Sequence, residues 1–283
     1  MSTLVEPFTY EFFRNAIIVA VLAGALCGLV GTYVVLRGMS YIGHGLSHAI
    51  FGGAVVGAAL SINFYVAAGV SGLLAALLIQ RIARRRTIGA DAAIGVVTIA
   101  AFAVGLVIIS KGGTFRQNFE AVLFGNVLGV TLGDVLVVVG VAVFCVVVVA
   151  LRYRQLLFTA FDPEVAEVSG VRTAWMDALL AMVLAATIAA TMNVVGVTLI
   201  AGMLVIPPVI ARLLTDSFSR MLWISVATGA ACGLVGTYLS YFLDWASGPA
   251  IVLTAAAVFT VAFLISEVRG RRLPDSAMAD PID

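Results

Sequence analysis

The chain has 283 residues, 62% hydrophobic and 11% charged, with a formal net charge of +1 and a mean hydropathy of +1.14. Soluble domains carry charge on roughly one-quarter of their residues, so an aqueous globular fold is excluded and a polytopic membrane protein is left. Basic residues fall in short clusters between apolar segments, which excludes a nucleic-acid-binding face. Lys111 is the only lysine and Gly112 follows it, so the Gly-Lys-Ser/Thr of a phosphate-binding loop is absent and ATP use requires another chain.

The first residues, MSTLVEPFTYEFFRNA, carry Glu6 and Glu11 where a signal peptide needs basic charge. Residues 1–14 read instead as an extracytoplasmic interfacial lead-in, with Phe8, Tyr10, Phe12 and Phe13 at headgroup depth. From residue 15 to 267 the text is nearly continuously apolar, and residues 268–283 form a tail. Cuts at charges and turn residues predict spans over 15–36, 43–61, 64–81, 92–110, 131–151, 174–194, 197–214, 221–242 and 249–267. The expected fold is therefore an all-α integral membrane domain, because open sheets cannot satisfy their backbone in lipid. It has nine spans, or eight if one short segment near Ile62 or Val195 is re-entrant.

Alternation places Arg37, Arg81, Arg84 to Arg86, Arg152, Arg154, Arg172, Arg212, Arg220, Arg269, Arg271 and Arg272 on one side. Those thirteen stand against Arg14, Lys111 and Arg116, so the arginine-rich side is cytoplasmic, the N-terminus outside and the C-terminus inside. Cys27, Cys145 and Cys232 all lie in apolar runs, where a small buried thiol is expected and a disulfide is not.

Two connections exceed a turn. Lys111 to Val130 has Phe115, Phe119, Glu120 and Phe124 for a surface helix. Arg152 to Thr173 contains FDPEVAEVSGV, where Asp162 can cap a helix, Pro163 opens it, Glu164 favours its positive end and Gly170 stops it. That short helix, about residues 161–171, reads equally as an ordinary loop helix or as a lever against a cytoplasmic partner.

One heptapeptide occurs twice, CGLVGTY at Cys27–Tyr33 and at Cys232–Tyr238, on spans of opposite direction. Gly24, Gly28 and Gly31, like Gly229, Gly233 and Gly236, put small residues on one helix face for close packing.

Polar groups inside hydrocarbon mark pathways or partners. Both histidines of the chain lie in GHGLSHA: His44 and His48 are four apart, share a helix face, and can hold one divalent cation through neutral imidazoles. Packed histidines bonded to backbone carbonyls remain the alternative. Ser47 sits beside them. The HExxH zinc-protease spacing is matched, but its general base is replaced by Gly45, so hydrolysis has no carboxylate to activate water. Asn193, Asp177, Asp244 and Asp134, at span ends, read as caps or interface residues before ligands, with Asn193 and Ser47 also candidates for the pathway or its gate. Pro207 and Pro208 fall within a span, remove two backbone donors, and suit a kinked, pathway-lining or gating segment.

These residues together resemble the permease subunits of bacterial ABC importers for manganese, zinc and iron. The resemblance covers nearly the whole chain and rests on four stretches in order: VVLRGMSYIGHGLSHAIFGG (Val34 to Gly53), FDPEVAEVSGV (Phe161 to Val171), VVGVTLIAGMLVIPPVIARLLT (Val194 to Thr215) and SGPAIVL (Ser247 to Leu253). It implies a homodimer in the bacterial cytoplasmic membrane, two copies of a cytoplasmic ATPase below, and an extracytoplasmic metal-binding protein above. It also implies a coupling role for Asp162, Pro163, Glu164, Glu167 and Gly170, and a transported zinc or manganese ion, with no permanently bound cofactor, stopping at His44 and His48. The family motif commonly has Asp where this chain has His44. That exchange makes the donor set more nitrogen-rich and moves preference toward zinc and later metals. An ion-coupled secondary transporter, the rival reading, needs intramembrane carboxylates that the mid-span text almost entirely lacks.

Overall fold

Hydrocarbon offers no partner for a free amide, and each unsatisfied one costs several kcal/mol, so segments this apolar must close their hydrogen bonds internally. The computed structural model describes residues 6–83, 89–111 and 122–270, and those residues are helical almost throughout. A 3-10 turn, Glu6–Thr9, leads into α1 (Glu11–Leu36), α2 (Ser40–Ala59), α3 (Phe64–Ala83), α4 (Ala90–Lys111) and α5 (Leu132–Phe161). There follow α6 (Pro163–Val168), α7 (Thr173–Val195), α8 (Ile200–Leu214), α9 (Phe218–Leu243) and α10 (Ser247–Gly270). Arg84 to Arg86, Arg116, Arg271, Arg272, Phe115, Phe119 and Glu120 lie outside the described residues.

Eight of these helices are long and apolar enough to cross a membrane. The ninth, α8, has 15 residues, about 22 Å at 1.5 Å per residue against a hydrocarbon core of about 30 Å. Its ends nevertheless lie at opposite ends of the bundle. Thr215 and Asp216 border a cleft with Leu36 and Phe161, whereas Gly248 and Phe124 pack against Val195, just before α8. Non-helical residues 196–199 supply the missing length. Their amides are satisfied: Val197 N donates to Val122 O at 3.0 Å and Leu199 N to Gly196 O at 3.1 Å, and the Thr198 hydroxyl adds a bond to Leu123 O at 2.8 Å.

At the centre stands α1, packed by α9, α8, α5 and α7. Its contact with α9 uses one glycine from each copy of the repeated heptapeptide, Gly28 and Gly233. A Cβ on Gly24 would lie 2.1 Å from Gly229 O, and one on Gly229 would lie 2.1 Å from Gly24 O. Four residues along α1, Gly28 faces Ser225 O, while Gly233 faces Ala20 O. The register is antiparallel, so the two copies do not face each other: they run apart from the central Gly24–Gly229 contact, Gly31 onto Leu204 O of α8 and Gly236 onto Ile251 of α10, and the Ser225 hydroxyl donates to Gly28 O at 2.8 Å.

Two details go beyond the sequence reading. Phe13 is fully buried, ringed by Phe8, Tyr238 and Tyr241, and pins the N-terminal turn to α9. The fifth helix does not stop at 151 but runs to Phe161. Arg152 and Arg154 do not end the helix, because Arg, Gln and Leu are all good helix formers. All three cysteines are buried and free.

Candidate functional site

Gly38 sets the approach to the histidines. With φ at +66°, it closes α1 and lets Gly38 N and Met39 N bond back to Val35 O and Val34 O. Helix α2 then starts at Ser40 and passes between α4, α3 and α8. Its glycines bring those neighbours close: a Cβ on Gly52 would lie 2.1 Å from Ala101 O of α4, and one on Gly57 would lie 2.1 Å from the Ala67 Cβ of α3.

On this helix the His44 and His48 rings meet edge to face, centroids 4.7 Å apart. His48 also rests against Phe102 of α4 at 4.8 Å, and His44 lies 5.9 Å from Tyr41. Both rings are half-buried, and His48 Nδ1 is buried without a hydrogen-bond partner. An imidazole nitrogen left unpaired in an apolar setting is costly unless a ligand meets it. Among the described residues no third His, Cys, Asp or Glu joins the pair, so the chain offers two nitrogen donors and leaves coordination positions open.

Ser47 does not join them. Fully buried, its hydroxyl donates to His44 O at 2.8 Å within the helix. Pro207 and Pro208 are also buried, and α8 continues helically through both. Lacking an N–H, Pro208 frees the Leu204 carbonyl, and that oxygen packs on Gly31, where a Cβ would lie 2.0 Å away. Pro208 thus faces α1, while Leu204 Cδ1 reaches Gly43, beside His44.

Asn193, in the last turn of α7, is a joint at the arginine-poor end. Its Nδ2 donates to Tyr65 OH at 3.1 Å, and the Tyr65 hydroxyl donates to Asp134 Oδ1. Asp134 in turn forms a capping box with Thr131. Asn193 Oδ1 is buried and unpartnered. The Thr-x-x-Asp spacing of that box is a signal the sequence carries; the link through Tyr65 leaves none, since Tyr65 and Asp134 are 69 positions apart. Asp244 ends α9 in the left-handed region at φ +53°.

The short helix forms as Pro163–Val168, with Asp162 Oδ1 accepting from Glu164 N at 3.1 Å and Val165 N at 3.0 Å. Gly170, at φ +83°, terminates it. Glu164 and Glu167 are exposed, Val168 is 91% exposed, and Ala166 alone is buried. Behind it lies a polar cluster that sequence reasoning missed. Arg37 donates to Asp177 Oδ1 at 2.5 Å and to Thr159 Oγ1 at 2.8 Å, and Gln80 Nε2 donates to Asp177 O at 2.9 Å. It ties the turn before α2 to α5, α7 and α3.

Comparison with known proteins now adds to this geometry. Residues 9–266 match the ABC 3 transport family. The chain belongs to that family. It is 34% identical over 265 residues to the manganese transport system membrane protein MntC of Halalkalibacterium halodurans, covering 94% of this chain and 91% of that one. It is 36% identical to a probable iron transport system membrane protein of Haemophilus influenzae, covering 95% and 98% respectively. Among solved structures, PsaBC from Streptococcus pneumoniae in complex with Fab superposes with a TM-score of 0.83 at 33% identity, over 90% of this chain and 91% of that one. An inward-facing putative metal-chelate type ABC transporter shares the fold at a TM-score of 0.71 and 16% identity, over 89% and 85%.

Proposed function

We propose that this chain is the membrane-embedded permease of an ATP-driven importer for a divalent transition metal, with manganese or iron as the natural cargo and zinc also accepted. The observation that carries the reading is the His44 and His48 pair, two open imidazoles on one helix face with His48 Nδ1 buried and unmatched. Relatives named for manganese and iron transport support the cargo class. With Lys111 outside any phosphate loop, ATP is hydrolysed by a partner, which docks on exposed α6 through Glu164, Glu167 and the Asp162, Pro163 and Gly170 frame. The arginine-rich end is cytoplasmic on this reading, and a binding protein delivers metal at the other. Two copies of the chain, facing each other across the histidines, complete the coordination shell. Such a site binds modestly and lets go, as transport requires.

The mechanism follows from the donors. Neutral imidazoles take the dication as it enters, Asn193 and the Tyr65–Asp134 pair hold the outer ends of α7, α3 and α5 together, and α6 passes the ATPase stroke to α5 and α7. Test: reconstitute the chain with its ATPase and measure uptake of manganese, iron and zinc side by side. ATP-dependent uptake of at least one is expected. Uptake of none, with ATP hydrolysis intact, rejects the metal reading.

A further inference from the structure

A second site lies on the opposite flank of α1. Helices α5 and α9 both pack on α1 but scarcely on each other, which leaves a groove between them with α1 as its floor. Its volume is about 840 Å³. Leu22, Leu26 and Leu29 recur along one stripe of α1 to form the floor. Ala142, Val146 and Ala150 line one wall, and Leu222 and Trp223 the other, so the small alanines give the groove its depth. From Ala142 to Gln155 the lining runs about 20 Å along α5, longer than the roughly 15 Å that one leaflet contributes to the hydrocarbon core.

The chemistry changes at the arginine-rich end. Arg152 and Arg154 stand at the mouth with Gln155 and Ser219, and no lining residue is acidic. Among the described residues neither arginine has a carboxylate partner. Arg152 lies 5.2 Å over the Trp175 ring and donates to Gln155 Oε1 at 3.2 Å, so its guanidinium is held in place yet uncompensated. Trp175 and Trp223 are 50% and 70% exposed, as residues of a headgroup-level aromatic belt are.

We propose that this groove binds one anionic phospholipid, acyl chain along α1 between α5 and α9 and phosphate headgroup on Arg152 and Arg154. Apolar walls of one leaflet's length select a chain, and two unpaired guanidiniums at its end select negative charge. The site is separate from the histidine face and does not depend on which ion crosses.

The test uses the full-length chain purified in detergent with its ATPase, given equal amounts of phosphatidylglycerol and phosphatidylethanolamine, with bound lipid read by native mass spectrometry. About tenfold preference for phosphatidylglycerol is expected, following from two arginines near the headgroup. Arg152→Gln with Arg154→Gln should bring the ratio near one, while Ala142→Phe with Ala150→Phe should expel both lipids. The exposed arginines make the first pair a variant that keeps its fold, checked by an unchanged melting midpoint. Equal retention by the unaltered protein, or a preference that survives the arginine exchange, overturns the proposal. So does disulfide-linked dimer at Trp223→Cys in membranes, which would mean that a second copy covers the groove.

Discussion

At the residue scale, His48 is held from two sides, by the His44 ring and by Phe102, and its Nδ1 has no partner in the protein. Removing that ring deletes a donor and its contact with Phe102 at a half-buried position, while the close approach of Gly52 to Ala101 O still holds α2 against α4. His48→Ala should therefore abolish metal uptake while assembly with the ATPase persists; transport at the normal rate in proteoliposomes would sink the pathway role. His44→Asp exchanges a nitrogen for a charged oxygen, and the ratio of manganese to zinc bound at equilibrium should rise. A falling or unchanged ratio would show that His44 does not face the ion. Both histidines were legible in the sequence because the two donors sit four apart on one helix, a local relation. The Asn193 joint was not, since Tyr65 and Asp134 reach it from other helices.

At the element scale, close helix contact is set by what is missing from glycine. Gly24→Val would drive side-chain carbon into the Gly229 carbonyl, where even a Cβ lies at 2.1 Å. Neither partner is a flexible side chain, so the helices must separate, and a loss of about 1–3 kcal/mol is expected. The melting midpoint in detergent measures it; an unshifted midpoint contradicts the packing described. The heptapeptide repeat announced small residues on both helices, yet only the antiparallel register reveals that Gly24 meets Gly229 while the two copies lie apart. Helix α6 depends in a different way on one side chain. Asp162→Ala removes two amide contacts and should cost about 1 kcal/mol of local stability, whereas Glu164→Lys with Glu167→Lys leaves the cap intact and should uncouple ATP hydrolysis from uptake. Unaltered coupling in the second variant would move the lever elsewhere. Here sequence and structure agree, because caps and stops act over three or four residues.

At the scale of the whole molecule, Arg37 connects parts that are distant in sequence. It joins the turn leading into the histidine helix to Thr159, next to α6, and to Asp177 at the start of α7. The Arg37 side chain is 10% exposed and that of Asp177 35%, so the pair is screened only in part and breaking it should cost roughly 1–3 kcal/mol. Arg37→Met should lower the melting midpoint and reduce metal transported per ATP hydrolysed, and Arg37→Lys should restore part of both. Loss of stability with full coupling would assign the pair a structural role alone.

Composition by itself determined that the chain lives in a bilayer, that its elements are helices, and that the chain carries no phosphate-binding loop of its own for ATP, for these follow from apolarity, backbone satisfaction and one lysine. Spacing by itself determined the histidine pair and the cap of α6, which are local along a helix. Tertiary structure decided the rest: that Ser47 turns into its helix, that Pro208 presses on α1 and α8 continues through both prolines, that α5 runs on to Phe161, and that Arg37 finds Asp177 across 140 positions. Such contacts join side chains whose separation along the chain carries no period, so they exist only once the helices have packed.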